Sequence, residues 1–314
     1  MKIYQNALGG RFCSLRRWGI ATLLAGLLPC HSFAAQPGML DAKAIGQASG
    51  ADAMSTSDGI VRIGWARTDV VVMVDSMKLP PAAGLGSWAA FAPMGLDAMV
   101  MGDTVVFEDE VDAAMDAAFA HGLSVTALHN HFFHDTPKVY FMHIAGQGSP
   151  ELLASDVKAV WDAIRAVRGA NSQPAGSFNG PTPTPGHVNA DLVAKIVGQP
   201  ATDTQGVAKV TIGRKGAMGG MIIDGSMGLA TWAAFSGNDT LAAMDGDLMM
   251  TAGEVQPVLR ALRRGGIHVV ALHSHMIGEQ PNFYFTHFWG TGSVQSLAQA
   301  FRAALDAQAS AKQT

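Results

Sequence analysis

Six histidines stand at a spacing that chemistry can use. His129 and His131 are followed by His143, and the same H-x-H-x11-H pattern returns as His273, His275 and His287. Residues i and i+2 of a strand share a face, so each H-x-H aims two imidazoles the same way. The return strand of a hairpin brings the third ring alongside. Three converging imidazoles suit a divalent metal, zinc being the expected ion, with a fourth position left to water or substrate. Glu279 lies in the second hairpin turn, placed to act as a fourth ligand or as the general acid/base. Its first-half counterpart is Asp135, one methylene shorter, and His134 stands where the second half has Gly278. On that contrast the second half is the expected working site. A lone histidine reads more readily as a hydrogen-bonded core residue. Three at one spacing, twice, do not, because each buried imidazole needs partners.

Other residues carry weaker expectations. His121, His187 and His268 fall outside the pattern and read as structural or solvated. Asp103 and Asp247 each follow a glycine and read as turn residues, the alternative for both being a carboxylate that reaches the histidine cluster, Asp247 there orienting a ligand histidine. Trp88, Phe91, Trp232 and Phe235 read as core. Gly146, Gly148, Gly290 and Gly292 read as tight strand-to-helix connections rather than a phosphate cradle.

The elements that must position these groups occur twice. At an offset of 144 residues, Val125–Gly148 and Val269–Gly292 are identical at 11 of 24 positions without a gap. The same register carries Trp88-Ala89-Ala90-Phe91 onto Trp232-Ala233-Ala234-Phe235, Gly102-Asp103 onto Gly246-Asp247 and Glu110-Val111 onto Glu254-Val255. Such a register marks a tandem duplication. In the first copy, strand patterns over 61–74, 88–92 and 98–107 lead to a helix near 108–121, whose stripe is Val111, Met115, Ala118 and Phe119. A strand over 123–132 turns at Asp135-Thr136-Pro137 and returns over 139–145. Ser149-Pro150 then opens a helix expected to bury Leu152, Val157, Val160, Trp161 and Ile164. The second copy repeats this, with helices near 251–264 and 293–307. Hairpins next to helices predict an α+β fold, each repeat an antiparallel sheet with helices. The organisation expected is a leader over 1–34, an extension over 35–57, repeat domains over 58–168 and 202–308, and between them a Gly/Pro-rich linker with a short helix.

The leader reading rests on Lys2, Arg11, Arg16 and Arg17 before an apolar run from Trp18 to Leu28, with Ser32 and Ala34 offering small residues for cleavage. The apolar run is short for a membrane span, so export to the periplasm or cell envelope is the expectation. Pro29 before Cys30 argues against lipid attachment there. The whole chain has 314 residues and a net charge of −4. Loss of residues 1–34 would remove four basic residues and both cysteines, Cys13 and Cys30, leaving 17 basic against 25 acidic residues, a net of −8. A chain of that charge lacks the basic face of a nucleic-acid binder, and one without thiols has neither disulfides nor Cys-bound metal.

The LHNH and LHSH strands, the Pro-x-x-x-F-x-H return strand, the Trp-Ala-Ala-Phe box and the Gly-Asp pair resemble the LppY/LpqO family of exported bacterial proteins. The resemblance covers most of the chain after the leader and implies a domain of unknown function. The H-x-H strand with a third histidine a dozen residues on is also similar in spacing to the zinc site of acetolactate decarboxylase. His273, His275 and Glu279 satisfy the H-x-H-x3-E of cupins, but the helix inside each repeat and the missing second cupin motif oppose that reading. Two functions compete: a metal-dependent hydrolase or lyase acting on a small substrate, and a non-catalytic metal- or ligand-binding protein of the envelope. A third, the two-histidine phosphoesterase plan, wants Ser or Thr where this chain has His131 and His275.

Overall fold

The computed structural model describes residues 38–311; the expected leader and both cysteines lie outside the described residues. The first half comprises α1 (Ala42–Ser49), β1 (Ala53–Ser55), β2 (Val61–Ala66), β3 (Met73–Val74), β4 (Met77–Lys78), β5 (Gly86–Met94), β6 (Asp97–Phe107), α2 (Val111–Ala120), β7 (Ser124–His129), β8 (Asp135–Thr136), β9 (Val139–Gly148) and α3 (Pro150–Ala170). The second follows the same order, with β8 reduced to a single bridge between Ala217 and Gln280: α4 (Ala190–Val197), β10 (Ala201–Thr204), β11 (Val207–Gly213), β12 (Gly216–Met218), β13 (Met221–Ile223), β14 (Ala230–Gly237), β15 (Ala242–Met250), α5 (Ala252–Arg264), β16 (His268–His273), β17 (Tyr284–Gly292) and α6 (Val294–Ala311).

The two halves share one sheet. Its twelve strands run β1-β2-β5-β6-β9-β7-β16-β17-β15-β14-β11-β10, a sequence that reads the same from either end once repeats are matched. At the centre β7 pairs antiparallel with β16 through Leu128 and Leu272, residues 144 apart, so a pseudo-twofold axis passes between them. The fold is α+β with antiparallel pairing throughout, and the duplication is visible strand by strand. The structure moves two boundaries. α1 and β1, in the expected extension, are the counterparts of α4 and β10, in the expected linker, so each repeat begins earlier in the chain.

Helices cover one face of the sheet. Their inward side chains (Ile45, Met115 and Trp161 in the first half; Val193, Leu259 and Phe301 in the second) join Val100, Ile144, Met244 and Phe288 of the strands in one core that crosses the axis. Capping explains where these helices start. Asp41 accepts from Lys43 and Ala44 N–H, Asn189 accepts from Leu192 N–H, and Thr251 with Glu254 forms a capping box. In α3 the inward residue is Leu153; Leu152 is exposed, one position off the expected stripe.

On the opposite face each half keeps a small satellite core. Leu85, Val105, Phe107, Val139 and Phe141 form one, and Leu229, Met249, Phe283 and Phe285 the other. Strand alternation assigns the faces: Met142 and Ile144 of β9 point to the helices, while Val139, Phe141 and His143 point away. The histidines therefore stand on the face the helices leave open.

Several fixtures recur in both halves. Arg67 meets Glu110 at 2.8 Å and Arg214 meets Glu254 at 2.6 Å, each carboxylate also accepting the backbone N–H of the residue three positions before it, Phe107 or Thr251. Burial pushes Glu254 up, but hydrogen bonds from Arg214 and Thr251 N–H outweigh it and hold the carboxyl below its ordinary range. Ser87 and Thr231 hydroxyls accept from Val105 and Met249 N–H.

Candidate metal centre

β16 ends at His273, so His275 lies in the loop rather than on the strand, and in the first half β7 likewise ends at His129 before His131. The face is kept nonetheless. His275 lies flat on Phe285 with ring centroids 3.4 Å apart, and His131 on Phe141 at 3.3 Å. The satellite cores, not strand geometry, hold these two rings over the sheet. Burial holds both rings below the ordinary histidine range, with neighbouring imidazoles pushing the same way and Asp247 or Asp103 opposing.

In the second half Asp247, His273 and His287 each offer a donor atom, and these atoms lie within 4.8 Å of one another. His287 comes from β17 and pairs directly with Asp247 of β15. His287 Nδ1 donates to the Gly246 carbonyl at 3.2 Å and His273 Nδ1 to that of Ser274 at 3.4 Å, leaving both Nε2 lone pairs for the cluster. His273 Nε2 and Asp247 Oδ1 are buried with no hydrogen-bond partner. Asp247 Oδ2 takes His275 Nε2 at 3.1 Å. A buried carboxylate oxygen and a buried imidazole nitrogen, both acceptors and both unmatched, fit a cation between them. Among the described residues this is the group of three that could hold a metal ion.

In the first half His129, His131 and His143 meet in the same way, with adjacent ring centroids 5.1 Å apart. The nitrogens differ. His143 Nε2 and His129 Nε2 face each other at 3.1 Å, so one N–H···N bond satisfies both rings. Asp103 is 3.8 Å from His143 and its Oδ1 is unmatched.

The aspartates are not turn residues. Asp103 and Asp247 sit in mid-strand on β6 and β15, opposite His143 and His287 on one side and Trp88 and Trp232 on the other. The preceding glycine is needed for packing: a Cβ on Gly246 would meet Phe288 and the Trp232 carbonyl at 2.3 Å. The pairing of Gly-Asp with the histidines was the signal available in the sequence. Trp88 and Trp232 are likewise not core. They flank the aspartates, partly exposed, beneath Arg62 and Lys209 at 4.6 and 4.5 Å. Phe91 and Phe235 are fully buried. A Cβ on Gly146 or Gly290 would meet Leu123 or Ile267 at 2.8 Å, so both serve close packing.

Glu279 holds a different post from the one its sequence position suggests. Its buried carboxylate accepts from Phe283 N–H at 2.9 Å, as Asp135 accepts from Val139 N–H at 2.7 Å. Both lock the hairpin turn, because a buried carboxylate is stabilised by the nearest backbone donor. His134 and Gly278 share one left-handed corner, φ 58° and 91°, so their contrast is one of backbone and not of space in the site. His121, His187 and His268 each find a carboxylate: Asp156 at 3.2 Å, Asp203 at 2.7 Å, and Asp112.

Fold and site together define a duplicated α+β protein with one continuous antiparallel sheet and a histidine–aspartate cluster in each half. The family model described as a domain of unknown function, DUF1529 (DUF1259), matches residues 43–163 and again 191–307, and the chain belongs to that family. No curated protein matches the sequence. Similar solved structures include the trimeric bacterial microcompartment shell protein PduB (11% identity, 81% of this chain and 89% of that one, TM-score 0.19). EtuB from Clostridium kluyveri is 14% identical over 82% and 90% of the two chains, with a TM-score of 0.22. At such scores the likeness carries no argument. No helix among the described residues is long and apolar enough to cross a membrane.

Proposed function

We propose that this protein is a divalent-metal protein whose second half holds the ion between Asp247, His273 and His287, zinc being the expected metal. The observation that carries the reading is the pair of buried, unmatched acceptors, His273 Nε2 and Asp247 Oδ1, within one group of donors. The reaction class it supports is hydrolysis or lyase chemistry on a small molecule, where a bound metal would supply Lewis acidity. His275 takes the proton-handling role. Its side chain is 32% exposed, its Nε2–H is held by Asp247, and burial favours its neutral form. Glu279 keeps the turn closed. The first-half set, His129, His131 and His143, is the weaker metal site because two of its nitrogens already satisfy each other. The motif set further supports kinship with the LppY/LpqO family, and on that reading the chain would be exported with cleavage after Ala34, a step that intact mass of the cellular protein tests directly.

A second reading is favoured by the closeness of His275 to Asp247: four protein donors would close the shell, giving an envelope protein that binds metal without turnover. Metal analysis of untagged protein tests the common core, with on the order of one equivalent per chain expected. Cobalt substitution then separates the readings. An absorption spectrum that shifts on adding azide indicates an open position, and an unresponsive one a closed shell. Protein that neither carries nor takes up zinc, cobalt or manganese would overturn both.

A further inference from the structure

The halves also differ at the seam between them, away from the histidine clusters. Each central strand carries a register irregularity, between Val125 and Ala127 in β7 and between Val269 and Ala271 in β16. At the first, the carboxamide of Gln256 on α5 closes the strand edge: Oε1 accepts from Val125 N–H at 3.1 Å and Nε2 donates to the Val125 carbonyl at 2.7 Å. The residue 144 positions earlier, on α2, is Asp112, and it is committed elsewhere. Its carboxylate takes Arg263 at 2.7 Å and His268. Among the described residues no side-chain hydrogen bond reaches Val269. A cavity of about 840 Å³ opens there instead, roofed by the linker at 175–183. Phe178 of that linker is half-exposed and stacks on His268 at 3.7 Å, and Trp289 forms part of the wall.

We propose that this cavity binds a small, flat, uncharged molecule bearing a carboxamide or an equivalent adjacent donor and acceptor, which takes at Val269 the place Gln256 takes at Val125. Three observations support that chemistry. The volume lies in the usual range for small-molecule sites. Aromatic and aliphatic walls suit a planar apolar body. Asp109 and Asp112 on the lining are paired with Arg168 and with Arg263 and His268, but Glu108 has no salt-bridge partner among the described residues, so a carboxylate of the same shape should bind more weakly. The chain itself carries the recognition element, since an amide already pairs with the equivalent strand edge across the pseudo-twofold axis.

Benzamide is the probe, titrated into chelator-treated full-length protein and followed by saturation-transfer NMR and calorimetry, with benzoate as the anionic isostere. Saturable benzamide binding is expected, with benzoate weaker by about tenfold or more, the effect of losing roughly one good hydrogen bond and gaining repulsion. Asp112→Gln installs at Val269 the carboxamide that Gln256 supplies at Val125, and should weaken benzamide by about tenfold. Because that variant also removes the partner of Arg263 and His268, its thermal unfolding is measured in parallel. Phe178→Ala leaves those ion pairs intact and should weaken binding several-fold. His273→Ala should bind benzamide as the wild type does, which separates this site from the metal centre. No saturable benzamide binding, equal binding of benzoate, or unchanged affinity in Phe178→Ala would overturn the proposal.

Discussion

The two halves keep the same scaffold and spend it differently. Turn locks, buried Arg–Glu pairs, hydroxyl fixtures and the aromatic beds under His131 and His275 correspond residue for residue. The difference lies in single nitrogen atoms. In the first half His129 and His143 satisfy each other through Nε2; in the second the His273 nitrogen faces a buried carboxylate oxygen and neither has a partner. The residue types are kept in all six rings, while the supports tolerate exchange (Asp135 for Glu279, Ser87 for Thr231), so the halves differ in how the same rings are arranged.

The largest expected effect tests that difference directly. His273→Ala should lower zinc affinity by more than about 100-fold, beyond what loss of a supporting residue costs, whereas His129→Ala should leave the tighter equivalent in place. Calorimetric zinc titration distinguishes the two, and equal losses would erase the asymmetry.

The buried ion pairs come next. Glu110→Ala leaves the fully buried Arg67 with Asp69 as its one remaining carboxylate and removes a partner of Arg168, so a loss of up to about 3–5 kcal/mol is expected in urea unfolding. Glu254→Ala should cost less, since the Arg214 side chain is 19% exposed and water can reach it. The reverse order would mean that the second half carries the fold.

A glycine comparison is finer. Gly246→Ala must push Phe288 and the Trp232 carbonyl aside from 2.3 Å, whereas Gly102→Ala meets the Trp88 carbonyl at 2.9 Å and a movable Ile144. Destabilisation of about 1–3 kcal/mol is expected for the first, and clearly less for the second, by thermal unfolding.

The smallest effect concerns acid. His131 and His275 have folded-state pKa values below the ordinary 6.5, so the unfolded chain takes up protons first as pH falls. Their contribution to stability is complete above that value and is lost on going down through the folded value. With chelator present, stability should decline from pH 7 to 5, and His131→Asn or His275→Asn should flatten the slope. Comparable flattening would extend the symmetry of the halves to their ring environments.

Much of this was legible along the chain. The 144-residue register, the α+β class, helix starts such as Thr251 with Glu254, and the six histidines all follow from local pattern, because periodicity and capping act over a few residues. Asp247 is visible in the Gly-Asp repeat, yet an aspartate after glycine reads locally as a turn residue. Glu279 is the opposite case. It is near the histidines in sequence, yet a backbone donor four residues on, at Phe283, is nearer still in space.

By itself the sequence determined that the chain is duplicated, which elements each copy contains, and which side chains could ligate. Only the tertiary structure decided that the copies share one sheet through Leu128 and Leu272, that Asp247 rather than Glu279 stands beside the rings, and that one half's nitrogens pair off while the other's do not. Those outcomes depend on pairing between residues 14 to 144 apart and on differences of an ångström between donors. Neither is encoded in the spacing of neighbours; both arise from how the whole core closes.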